Sequence, residues 1–119
     1  MVKEKVEEKI KLDSIKELSE KIAQFNKERD WDQFHSPANL AKSISIEANE
    51  LLECFQWSDD KYDINEVKEE LADVLSYCIQ MATKLDLDIR EIVLQKFEKT
   101  AKKYPVDKAK CVSTKYDKL

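Results

Sequence analysis

Ile15, Leu18, Ile22 and Phe25 recur at three- and four-residue spacing, the period of an amphipathic helix. They predict a helix over about residues 14–28, with Asp13 or Ser14 as its N-cap. Ahead of it, Val2, Val6 and Ile10 keep helical spacing in a Lys/Glu-rich start, so residues 1–13 form either a helical extension or a disordered lead-in. The pattern breaks from Glu28 to Pro37. Pro37 suits the first turn of a second helix, which runs to about Phe55. Trp57 ends it, and Ser58-Asp59-Asp60-Lys61 make a polar link. Asp63-Ile64-Asn65-Glu66 reads as a capping box for a helix over about 64–84, striped by Val67, Leu71, Val74, Cys78, Met81 and Leu85. Asp86-Leu87-Asp88 caps one more helix, with Ile89, Ile92, Val93 and Phe97 on its apolar side, ending before Pro105. Residues 105–119 have little periodicity. The expectation is an all-α bundle of about four to five helices, with a helical body over 14–104 and a tail over 105–119 that contributes to the site or to an oligomer.

Composition strengthens the helical reading and removes several functions. Among 119 residues there is no glycine and only two prolines. Without glycine no Gly-rich phosphate loop can form, so Walker and Rossmann fingerprints are excluded. A net charge of −4 gives no general basic surface for nucleic acid. No apolar run is long enough to span a membrane, and no signal-peptide core is present, so a cytoplasmic protein is expected. Cys54, Cys78 and Cys111 are odd in number and lack CxxC pairing, and read as reduced thiols, two of them near the core. A zinc site from Cys54, Cys78 and His35 has no ligand spacing to support it. A chain this short buries only part of its surface, which favours association with further copies.

The acids are placed by helical phase. At ~100° per residue, Glu47 and Glu50 lie on the flank of the apolar arc formed by Ile44, Ala48, Leu51, Leu52 and Phe55, while Glu53 points away. On the next helix Glu70, Asp73 and Tyr77 share the flank, Glu66 is a fifth acid near it, and Glu69 faces away. Two helices joined by a short link pack antiparallel, bringing four carboxylates face to face. Such a cluster repels itself unless a hard cation sits among its members, which points to Mg²⁺. Spacing alone is equally consistent with solvated helix surface, because Glu-rich helices are common in a chain with 39% charged residues.

Two further stretches carry candidate chemistry. The segment Trp31-Asp32-Gln33-Phe34-His35-Ser36-Pro37 sets two aromatics and the single histidine in a polar loop; taken alone, Trp31 and Phe34 read more simply as plugs for the bundle end than as ligand contacts. From residue 96 onward eight lysines face three acids, either a solvated helix end or a basic rim for polyphosphate.

Taken together, Phe25…Glu28-Arg29-Asp30-Trp31-Asp32-Gln33-Phe34-His35…Pro37…Asn39-Leu40, Glu47…Glu50-Leu51…Glu53…Phe55-Gln56-Trp57, Glu69-Glu70-Leu71-Ala72-Asp73-Val74-Leu75…Tyr77 and the closing Lys103-Tyr104-Pro105 and Lys115-Tyr116 resemble the MazG-like nucleotide pyrophosphohydrolases, in particular their dCTP pyrophosphatase branch. The resemblance spans about residues 15–117. It implies hydrolysis of a nucleoside triphosphate, dCTP or a modified dCTP, to monophosphate and pyrophosphate, as nucleotide-pool house-cleaning. It implies metal ligands at Glu47, Glu50, Glu70 and Asp73, with Mg²⁺ or alternatively Mn²⁺, and base and sugar contacts at Trp31, Phe34, His35, Trp57 and Tyr77. It also implies a homodimer or homotetramer. Lys96 or Lys103 would assist the leaving pyrophosphate, and Glu47 or Glu50 would serve as general base. Ile22 and Thr100 stand where relatives use a histidine and an asparagine near the nucleotide, and Cys111 where many have glycine. The rival readings are a pyrophosphatase of broader or different nucleotide range, a non-enzymatic helical interaction module, and a di-iron bundle. The last fails for want of Glu-x-x-His pairs.

Overall fold

The second helix starts at Pro37 as the sequence predicts, where proline fills a position whose N–H would have no partner, and the Ser36 hydroxyl caps it by accepting the Asn39 N–H at 3.1 Å. Asp63 and Asp88 do the same for the next two helices, accepting the N–H groups of Asn65 at 2.8 Å and Glu91 at 2.9 Å. A computed structural model describes residues 15–119. The helices are α1 (Ile15–Glu28), α2 (Pro37–Glu53), α3 (Ile64–Lys84), α4 (Ile89–Lys103) and α5 (Val106–Ala109), with 3₁₀ turns at Asp32–Phe34 and Tyr116–Lys118. The described residues are all-helical, with no strand. The proposed extension over 1–13 lies outside them.

Two boundaries differ from expectation. The second helix stops at Glu53, not Phe55, because Cys54, Phe55 and Gln56 turn their N–H groups to the carbonyls three residues back. The tail contains α5 and a 3₁₀ turn. Its ordering comes from a contact that no short-range pattern reveals: Tyr104 and Tyr116 stack edge-to-face at 6.0 Å, the Tyr116 N–H donates to the Tyr104 hydroxyl, and the Lys103 ammonium lies 4.6 Å over the Tyr116 ring.

A chain without glycine still needs left-handed residues to end its helices. Asp30, at φ 53°, and Asp86, at φ 54°, supply them. After α1 the Asp30 N–H returns to Lys27 and the Trp31 N–H to Asn26; after α3 the Asp86 N–H returns to Thr83 and the Leu87 N–H to Ala82. Both are Schellman endings with aspartate where glycine is usual. Cys111 is the third such residue, at φ 65°.

Contacts divide the chain between Leu87 and Asp88. In the first unit α3 is the element against which both α2 and α1 pack. Its core is thin: Leu40, Ala82 and Asn26 are the buried residues among those described, and of these Leu40 is fully enclosed. Several positions of the expected stripes are open instead, including Leu52, Leu71 and Leu85. Cys54 is half-buried, but Cys78, expected near the core, is exposed.

Candidate active site

The flank positions of α2 and α3 converge. Glu47, Glu70 and Asp73 each offer a carboxylate oxygen, and the three oxygens lie within 4.8 Å of one another. Glu47 Oε2 and Glu70 Oε2 are buried without a hydrogen-bond partner. Burying an unpartnered carboxylate oxygen is costly, and the electrostatics record it. A hydrogen bond shared with the Glu50 carboxyl, then burial, then the charges of Glu50, Asp73 and Glu70, push Glu47 from 4.5 up to about 7. Burial, then Glu50, Asp73 and Glu69, also raise Glu70. Glu50 stands outside the three-oxygen group yet acts on two of its members. Glu53, Glu66 and Glu69 are exposed, and none belongs to the group. Oxygen donors at this separation, two of them lacking partners, fit a hard divalent cation.

Asp73 also lines a cleft of about 430 Å³. Ile22, Phe25 and Trp31 form its apolar wall, and Lys21, Asn26, His35, Ser76, Tyr77 and Gln80 complete it. The Schellman ending of α1 positions Trp31: its N–H is tied to Asn26, and its ring meets Phe25 edge-on at 5.6 Å. The Arg29 guanidinium caps the Phe25 ring at 3.5 Å. The 3₁₀ turn then carries His35 into the cleft, where its Nδ1 is buried without a partner.

Trp31, His35 and Tyr77 thus share one cleft with an acid of the cluster. Phe34 and Trp57 do not line it; they are 60% and 89% exposed. The early end of α2 releases the segment after Glu53, and Phe55 instead stacks on Tyr62 at 4.8 Å. Lys96 belongs to the 88–119 unit, where it lines a groove with Ile92, Val93, Phe97 and Thr100. Sequence reasoning missed Asn26 and Gln80. Gln80 was findable, since it lies seven residues after Asp73 and three after Tyr77, on the same side of α3.

The MazG-like family sequence model matches residues 42–119. The chain belongs to the MazG-like family. It is 34% identical to dCTP pyrophosphatase 1 of Homo sapiens and 32% identical to that of Mus musculus, the alignments covering 89% of this chain and 68% of each relative. A crystal structure of a pyrophosphatase from Archaeoglobus fulgidus superposes with a TM-score of 0.72 at 40% identity, covering 76% of this chain and 91% of that one. As a MazG-like protein of this branch the chain is an enzyme, a nucleotide diphosphatase. No described helix is long and apolar enough to cross a membrane.

Proposed function

We propose that this MazG-like enzyme hydrolyses dCTP, or a modified dCTP, to dCMP and pyrophosphate with Mg²⁺, clearing the nucleotide pool of the cytoplasm. The observation that carries the reading is the double role of Asp73, which belongs to the acidic cluster and lines the cleft holding Trp31, His35 and Tyr77. That double placement supports a reading in which phosphate chemistry and base recognition meet at one residue. The named activity of the dCTP pyrophosphatase 1 relatives supports the choice of nucleotide.

Glu47, Glu70 and Asp73 would hold the divalent cation, which, when bound, neutralises phosphate charge and lowers the pKa of a coordinated water. Water attacks the α-phosphorus, its oxygen forming the new P–O bond as the bond to pyrophosphate breaks. The proton released goes to a carboxylate. Glu50 suits that task because it is outside the close oxygen group but hydrogen-bonded to it; Glu47 is the alternative. Trp31 and Tyr77 hold the base, and His35 supplies a hydrogen bond through the nitrogen now unpartnered.

Phe34, Trp57 and Lys96 enter the proposal as contacts that an assembled enzyme adds. Ile46, Leu52 and Leu75 in the first unit, and separately Phe97 in the second, are more than half exposed, apolar side chains that a homodimer or homotetramer would cover. The experiment is a panel of nucleoside triphosphates assayed for pyrophosphate release with Mg²⁺. The reading expects dCTP or a 5-substituted dCTP to give the highest kcat/KM. A purine nucleotide as best substrate, with dCTP inert, overturns it.

A further inference from the structure

Asn26 is the polar member of the buried core, at 6% exposure. Its Nδ2 donates across to Gln80 Oε1 at 2.8 Å, tying α1 to α3, and Gln80 Nε2 donates to Ser76 Oγ at 3.3 Å. A side-chain amide carries two N–H donors and a carbonyl acceptor. These two bonds use one N–H of each amide and leave the other, together with the Asn26 carbonyl oxygen. His35 Nδ1, also in the cleft, has no partner. Hydrogen-bonding capacity is thus gathered in a cleft that Ile22, Phe25 and Trp31 also line.

The same residues mark a boundary. Ile22, Asn26, His35 and Gln80 line both the 430 Å³ cleft and a second one of about 320 Å³, so the amide pair is a shared wall between two spaces. The pair is also at a defined distance from the acids. Gln80 follows Asp73 by seven residues, two helical turns, or about 10 Å along α3. That is the reach from the α-phosphate of a nucleotide to the far edge of its base.

We propose that Asn26 and Gln80, held by Ser76, read the hydrogen-bonding edge of the nucleobase and determine which base this enzyme accepts. The proposal rests on reading the cleft as the nucleotide site. A cytosine edge offers an amino donor beside a ring-nitrogen acceptor, which an amide can answer with its own acceptor and donor; uracil and thymine offer the reverse order. A site built to hydrogen-bond one edge rejects another because its buried polar groups are left unpaired.

The test compares kcat/KM for dCTP, dUTP and dTTP in the wild type, Gln80→Leu and Ser76→Ala, with melting temperatures. Gln80→Leu is expected to bring the ratio between the best and the other pyrimidines about tenfold closer to one, through KM, with kcat nearly unchanged. Ser76→Ala removes only the anchor of Gln80 and should produce a smaller change in the same direction; it serves if Gln80→Leu fails to fold. A lowered melting temperature with the ratios unaltered in Ser76→Ala and any folded Gln80→Leu means the network is structural, and overturns the proposal. If the wild type prefers dUTP or dTTP but Gln80→Leu still flattens the preference, the dCTP reading fails while the base-reading pair stands.

Discussion

Glu47 of α2 and Glu70 of α3 each bury one carboxylate oxygen without a hydrogen-bond partner, inside a group whose third member is Asp73. Two helices deliver like charges to one point, and among the described residues no lysine or arginine forms an ion pair with them. The cost is visible in the raised proton affinity of both glutamates.

That cost has a pH signature in the metal-free protein. Glu47 titrates near 4.5 when unfolded and at about 7 when folded, so the native state binds its proton more tightly. The associated stability is fully present below about pH 4.5 and is lost as pH rises through 7. Melting of metal-free protein from pH 5 to 8 should show this decline, set against the titration of other groups by comparison with Glu47→Gln. The variant should be flatter across the window; an identical slope would show that Glu47 does not carry the repulsion.

The left-handed residues offer a stability test away from the chemistry. Cys111 holds φ 65° with a side chain that gains little from that conformation. Cys111→Gly should stabilise the protein by about 1 kcal/mol, roughly 4 °C in Tm for a chain of this size. Asp86→Gly should gain less, because aspartate tolerates the left-handed region. Thermal unfolding of the two variants gives the order directly.

Trp31 and Trp57 are the two tryptophans, and the structure separates them. Trp31 lines the cleft and packs on Phe25, whereas Trp57 is 89% exposed. Nucleotide should quench the indole emission of Trp57→Phe saturably and leave that of Trp31→Phe much less affected. Trp31→Ala should raise KM by about tenfold or more with a smaller effect on kcat, since stacking acts on ground and transition states alike. Quenching that follows Trp57 instead would place the base against that residue.

Much of this was legible in the chain. Pro37, Asp63 and Asp88 announce their helix starts by local chemistry, and local rules suffice for them. Helical phase set Glu47, Glu50, Glu70 and Asp73 on facing flanks and Glu53 and Glu69 away from them, because once two helices pack antiparallel ~100° per residue decides which side chains meet; three of the four form the close oxygen group, and Glu50 stands beside it. Trp57 was harder. Its place among the base contacts came from the resemblance and from no local pattern, and the turn at Cys54–Gln56 ends α2 ahead of it and leaves its side chain exposed. The tail depended on Tyr104 meeting Tyr116, and the amide pair on Asn26 meeting a residue 54 positions away. Neither contact leaves a periodic trace.

The central claim is that Glu47, Glu70 and Asp73 form a divalent-cation site. Calorimetric titration of Mg²⁺ into the wild type, Asp73→Asn and Glu53→Gln, each at pH 6 and pH 8, tests it most directly. The wild type and Glu53→Gln should bind, releasing more protons at pH 6 than at pH 8 because Glu47 must give up its proton, and Asp73→Asn should lose most of the affinity. Equal binding by Asp73→Asn and the wild type, with no difference in proton release between the two pH values, would contradict the account.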